Sequence, residues 1–221
     1  MKSFWIGVLV VVGTILVATY AAVSLGPEVF SPHARLEGIS DLNGAEGRHL
    51  ATPIQVEAGE RSAGTLAPDF QAPASDGTTY RLSEVVKERP AVLIFIKADC
   101  PCSRSADPYF QRIHTAGRGW VPFFGVIDGD VAVARKWIDQ TGAVFPILAD
   151  PERKIVHDFG AENSAYVAFV SPGGRIEKLW AGYSQTMLSE LAQLMARWVK
   201  SELDSLDVTD APKDLYTGCP Y

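Results

Sequence analysis

Four short runs, Ala91–Ile96 (AVLIFI), Val121–Ile127 (VPFFGVI), Phe145–Leu148 and Tyr166–Val170 (YVAFV), are apolar almost without interruption. A strand of that kind has no solvent face, so its sheet must be covered on both sides. The intervening stretches supply the cover. Residues 102–115, Val131–Thr141, Pro151–Phe159 and Met187–Leu203 read as helices. Val131, Ala134, Trp137 and Ile138 line one face of the second, and Leu188, Leu191, Leu194, Met195 and Trp198 form the stripe of the last. Ser171-Pro172-Gly173-Gly174 is a turn that joins Tyr166–Val170 to Arg175–Trp180 as a hairpin. Strands alternating with helices, then a hairpin and a closing helix, predict an α/β sandwich of three layers around a mixed central sheet.

This domain does not begin at residue 1. No charged residue lies between Lys2 and Glu28. Phe4–Leu25 has the ~20 apolar residues that a helix needs to cross a bilayer. It exceeds the roughly 7–15 apolar residues of a cleaved signal peptide, so an uncleaved anchor over 4–25 is expected. With Lys2 kept inside, the rest of the chain faces outward, which in a bacterium means an inner-membrane protein with a periplasmic domain. Residues 27–65, broken by Pro27, Pro32, Gly38, Gly44, Gly47, Gly59 and Gly64, read as a juxtamembrane linker with at most a short strand at Pro53–Val56. The folded domain is expected over 66–205 and a tail over 206–221. The net charge of −6, without a basic tract, argues against a nucleic-acid partner.

Chemistry is concentrated where the first apolar run meets the first helix, at Cys100-Pro101-Cys102-Ser103. A thiol at a helix N-terminus faces free backbone N–H groups and the positive end of the helix dipole, which favour the thiolate, the reactive form. Cys100 is therefore the expected nucleophile and Cys102 its partner, with Lys97, Asp99, Pro101 and Ser103 as tuning neighbours. Cys219, in the tail, is either a resolving cysteine or an incidental terminal thiol. His33, His49, His114 and His157 fall in no metal-ligand spacing, Asp128-Gly129-Asp130 is a turn, and no cofactor or metal site is expected.

Residues 66–203 resemble the thioredoxin-like superfamily, in its TlpA-like and redoxin (AhpC/TSA-related) branch. The matching elements are Ala67-Pro68-Asp69-Phe70, Asp76-Gly77-Thr78, Leu82-Ser83-Glu84, Ala149-Asp150-Pro151 and Ser171–Ile176, in the family's order. The resemblance puts Cys100 at the first cysteine of the family's CxxC and Pro108 at the proline that kinks the active-site helix. There are also departures. Ser103 stands at the second CxxC cysteine, Cys102 is an added thiol, and Ala165 takes the place of the cis-proline that faces the motif and shapes substrate binding. The residue before the nucleophile, commonly Trp, is Asp99, whose charge opposes a thiolate, while Lys97 offers a compensating cation. A Cys-x-Cys bridge closes a small ring away from relaxed geometry, and such bridges are more oxidising.

The reading implied is thiol–disulfide exchange with extracytoplasmic protein thiols, supplied by a membrane or periplasmic redox partner. Three others compete. A peroxidase of redoxin type would need the family's Thr and Arg, and Lys97 and Ala165 occupy those positions. A copper-delivering Sco-like protein would need Cys-x3-Cys and a His, where this chain has Asn163-Ser164-Ala165, although Cys-x-Cys suits Cu(I). A degenerate, non-catalytic binding module would not need two thiols at the reactive turn.

Overall fold

The computed structural model describes residues 49–117, 119–199, 203 and 206–221. The anchor expected over 4–25 and the first part of the linker lie outside them. Among the described residues no helix is long and apolar enough to cross a membrane.

The centre is a five-stranded mixed sheet of order β6-β5-β4-β7-β8. Its strands are β4 (Ala91–Ile96), β5 (Phe123–Ile127), β6 (Ile147–Ala149), β7 (Val167–Ser171) and β8 (Arg175–Trp180). β4, β5 and β6 run parallel, while β7 is antiparallel to both β4 and β8. Every residue of β4 is buried. The period-2 pleat divides its side chains between two cores. Val92, Ile94 and Ile96 join α3 (Pro101–Ala116) and α6 (Gln185–Val199) on one face. Ala91, Leu93 and Phe95 join α2 (Leu82–Val85) and α5 (Lys154–Asp158) on the other. α4 (Val131–Thr141) follows β5 and inserts Trp137 into the first core. The hairpin β2 (Gln71–Pro73) and β3 (Thr79–Arg81) adds Ala72 to the second. The three-layer α/β sandwich with a mixed sheet is therefore observed.

Local chemistry explains the boundaries. α4 starts and stops where predicted, because Asp130 caps the Val133 N–H and Gly142 ends the helix at φ 70°. The strand expected at Phe145–Leu148 is shifted to Ile147–Ala149, beyond Pro146, which has no N–H for the ladder. The helix expected at Pro151–Phe159 is shorter, since Arg153 sits in the left-handed region at φ 57° before Lys154. Trp198 of the predicted stripe is half-exposed, and its indole donates to Glu177.

The linker reading of 27–65 is corrected from residue 49 onward. His49–Leu50 is strand β1, and Pro53–Ser62 is helix α1, where a short strand was the most that was expected. Thr52 and Gln55 form a capping box around Pro53 at the first helical position. α1 lies against β8 so closely that a Cβ on Gly59 would sit 2.4 Å from the Leu179 carbonyl oxygen. The expected tail is also structured. Tyr216–Thr217 forms β9 and pairs antiparallel with β1. The folded unit thus extends past the expected 66–205 at both ends.

Candidate functional site

β4 ends at Ile96, and the loop Lys97–Asp99 turns the chain into α3 with Cys100 as the N-cap residue. Pro101 takes the first helical position, where its missing N–H costs nothing. Ser103 is buried, and its hydroxyl accepts the Lys97 N–H at 3.2 Å, which ties the helix to the strand end. Asp99 is exposed. Lys97 is half-buried, with its ammonium 3.5 Å from Asp128 and 5.7 Å from the centre of the Tyr221 ring. Its charge bears on Cys219, whose thiol it favours in the ionised form. The compensation expected at Cys100 is therefore directed to the tail thiol.

The tail is what completes the site. Tyr216 exchanges backbone hydrogen bonds with Tyr183 in both directions, at 2.9 and 3.0 Å. The Gly218 N–H donates to the Ser164 carbonyl at 2.8 Å, and the Ser164 N–H donates to the Cys219 carbonyl at 3.0 Å. The Asn163 amide donates to the Gly218 carbonyl at 2.8 Å, and the Tyr221 N–H to the Glu162 carbonyl at 3.1 Å. Gln55 of α1 braces the other side through Glu162 and Asn163. Residues 216–221 are therefore held along 162–164 like an added strand. At Gly218 this needs the absence of a side chain, since a Cβ would fall 1.9 Å from the Ser164 hydroxyl.

This docking brings Cys219 Sγ to 2.6 Å from Cys100 Sγ across 119 positions of sequence. The ligand atoms of Cys100, Cys102 and Cys219 all lie within 4.8 Å of one another. Cys100 and Cys102 are buried and Cys219 is partly so. Cys100 is 1% exposed, so the docked tail closes it off from bulk solvent. The cysteine pair expected from Cys-x-Cys is thus joined by Cys219, which the structure places against Cys100.

The three thiols are electrostatically unequal. A hydrogen bond from Cys102 is the main influence on Cys100, and bonds from Cys219, the Ser164 hydroxyl at 3.4 Å and the Cys219 N–H at 3.2 Å add to it. Against the cost of burial, they bring the Cys100 thiol down to about 3. Cys102 is pushed above the ordinary thiol range by the bond it gives to Cys100 and by burial. Burial, and then its bond to Cys100, raise Cys219 to about 11. One thiolate held between two thiols is the state that performs exchange or soft-metal binding.

Ala165 stands opposite at φ 63°, with its N–H donating to the Phe95 carbonyl at 2.7 Å. No cis peptide occurs among the described residues. Sequence reasoning missed Glu162–Ser164 and Gly218 as site residues because much of their role is backbone pairing, and the single Asn163 and Ser164 side chains that reach the tail and Cys100 form no motif. The glycine before Cys219 was the available hint.

Residues 63–179, just over half of the chain, match the AhpC/TSA family. No curated protein matches the sequence. Among solved structures, a candidate protein disulfide isomerase from Bacteroides thetaiotaomicron is similar at 20% identity and TM-score 0.57, covering 70% of this chain and 94% of that one. The peroxidoxin BcpB from Mycobacterium tuberculosis matches at 18% identity and TM-score 0.55, over 63% and 99% of the two chains. The thioredoxin domain of a thiol-disulfide oxidoreductase from Bacteroides vulgatus matches at 16% and 0.53, over 60% and 97%. These likenesses show a thioredoxin-like fold, and with the family match they lead to one statement of kinship: the chain belongs to the AhpC/TSA family.

Proposed function

We propose that the protein is a membrane-anchored, extracytoplasmic thiol–disulfide oxidoreductase in which Cys100 is the exchanging nucleophile and Cys219 its resolving partner. The observation that carries this is the 2.6 Å separation of the two sulfurs, with Cys100 held as the thiolate. The Cys100 thiolate attacks one sulfur of a client disulfide, and the client's other sulfur leaves as a thiolate and takes up a proton. The Cys219 thiol then loses its proton and attacks Cys100 Sγ, which forms Cys100–Cys219 and frees the second client thiolate. The client gains two electrons and the protein loses them. The reverse sequence oxidises a client dithiol. Cys102, which hydrogen-bonds the thiolate, steadies it between turns. A membrane or periplasmic redox partner would restore the starting state. The anchor rests on the uncharged run Phe4–Leu25, and the outward orientation on Lys2 before it and Glu28 after it.

A second reading, peroxide reduction, draws on the burial of Cys100, since a small oxidant is the substrate that reaches it with the tail docked. In that chemistry the thiolate takes one peroxide oxygen to become a sulfenic acid and releases an alcohol or water. Cys219 then displaces water to give the same disulfide. One experiment separates the two. The reduced full-length chain and its Cys100→Ser, Cys102→Ser and Cys219→Ser variants are mixed with insulin or with hydrogen peroxide, quenched by acid and alkylation, and mapped by mass spectrometry. Exchange predicts rapid oxidation by insulin disulfide, none in Cys100→Ser, and a trapped Cys100–client adduct in Cys219→Ser. Oxidation by peroxide alone would transfer the assignment to peroxidase. Bridges that never include Cys100 would sink both.

A further inference from the structure

We infer that the reduced cluster Cys100–Cys102–Cys219 is a binding site for a soft monovalent metal ion, Cu(I), held by three sulfurs. The donor set is thiol only. Among the described residues it is the group whose ligand atoms gather within 4.8 Å, and no histidine or carboxylate belongs to it. Sulfur ligands of this kind select Cu(I), zinc or iron–sulfur clusters over hard cations. Zinc sites with protein ligands are four-coordinate in structural centres, and this cluster offers three. Cu(I), a d10 ion without a tetrahedral requirement, is satisfied by three.

The dimensions fit after one small movement. A metal–sulfur bond of about 2.3 Å in trigonal geometry spaces the sulfurs by about 4 Å. The cluster already lies within 4.8 Å, and the pair that must open is Cys100–Cys219, now at 2.6 Å. Cys219 is on the docked tail, so a shift of residues 218–220 along the Ser164 ledge supplies that opening without disturbing α3. The outer shell is in place. The Cys219 N–H and the Ser164 hydroxyl both point at Cys100 Sγ, and the Lys97 ammonium offsets the negative charge near Cys219. The site is also dry, with Cys100 and Cys102 at 1% and 6% exposure, which keeps bulk water and bulky competing ligands away from a bound Cu(I).

Metal binding and disulfide formation draw on the same sulfurs, so each excludes the other. The inference requires only the reduced cluster and no client. A protein that binds Cu(I) but exchanges no disulfide would refute the proposed function and leave this inference intact, and the converse also holds.

The test uses the full-length chain in detergent, reduced and anaerobic, titrated with Cu(I) against bicinchoninate. One Cu(I) per chain is expected, with an X-ray absorption spectrum of three sulfur neighbours. Cys219→Ser is expected to leave two sulfur neighbours and to weaken retention at least tenfold, and Cys102→Ser to do the same from a different element. A wild-type spectrum with two sulfurs, or with nitrogen or oxygen neighbours, would overturn the inference without reference to any variant. So would a Cys219→Ser protein of normal circular dichroism that holds copper as tightly as wild type.

Discussion

Cys100 is acidic because of what surrounds it. Four donors converge on one sulfur: the Cys102 and Cys219 thiols, the Ser164 hydroxyl and the Cys219 N–H. Hydrogen bonds to a charged group contribute about 1.5–3 kcal/mol, and a pKa unit corresponds to about 1.4 kcal/mol. Removing the Ser164 hydroxyl, a long bond at 3.4 Å, should therefore raise the Cys100 pKa by about one unit. Thiolate absorbance near 240 nm, followed by pH titration of the reduced protein, measures this directly. In wild type the absorbance should persist to about pH 4 and vanish in Cys100→Ser, and in Ser164→Ala its midpoint should move upward. An unchanged midpoint would remove Ser164 from the list of donors. Asp99, the neighbour whose charge looked most threatening from sequence, is turned to solvent, and Lys97 is engaged by Asp128. Residue identity alone named the right neighbourhood but not which charge faces which sulfur, because that depends on loop geometry.

At the level of elements, the tail strand and α3 each make a prediction. Gly218→Ala would place a methyl group against Ser164 and force the tail off its ledge. Iodoacetamide should then modify Cys100 at least tenfold faster, while air oxidation to Cys100–Cys219 slows. Equal rates would mean that the tail neither covers nor serves Cys100. Within α3, Asp107 is buried beside Gln111, and desolvation is the main cause that lifts its carboxyl to about 6. The folded state thus favours the neutral acid. The associated stability is complete below the unfolded value near 3.8 and is lost as pH rises through about 6. A gap of roughly two units corresponds to about 2–3 kcal/mol. Asp107→Asn should flatten urea-derived stability between pH 4 and 6.5, and at pH 7 should be more stable than wild type by about 2 kcal/mol. An Asn variant that is equal or weaker at pH 7 contradicts the sign. The central elements were readable because β4 and α4 carry their own periodicity and caps. α1 was not, since its buried residues are Gln55 and Gly59 and it has no apolar stripe; the Thr52–Gln55 capping box was the readable trace. The tail had no local signal, because its conformation is set by pairing with residues more than 30 positions away, from Tyr183 back to Ser164 and Asn163.

Across the whole molecule, the Cys100–Cys219 contact joins the N-terminus of α3 to the docked tail, over 119 positions. A cross-link that closes so long a loop removes much of the unfolded chain's freedom. The chain-entropy account gives about 4.7 kcal/mol for a loop of ~100 residues, as an upper figure. The folded state needs little adjustment to accept the bond, since the tail is already paired to 162–164, to Tyr183 and to β1. Most of the constraint should therefore appear as stability. For a domain of this size 1 kcal/mol moves the midpoint by about 2–4 °C, so the oxidised protein should melt on the order of 10 °C above the reduced one. Because Cys102 takes no part in that loop, the gap should survive in Cys102→Ser and collapse in Cys100→Ser and Cys219→Ser. Calorimetry of each protein, oxidised and then reduced, measures it. Were the gap to persist in Cys219→Ser and disappear in Cys102→Ser, the stabilising bridge would be the short Cys100–Cys102 ring, and the tail would lose its place in the redox cycle.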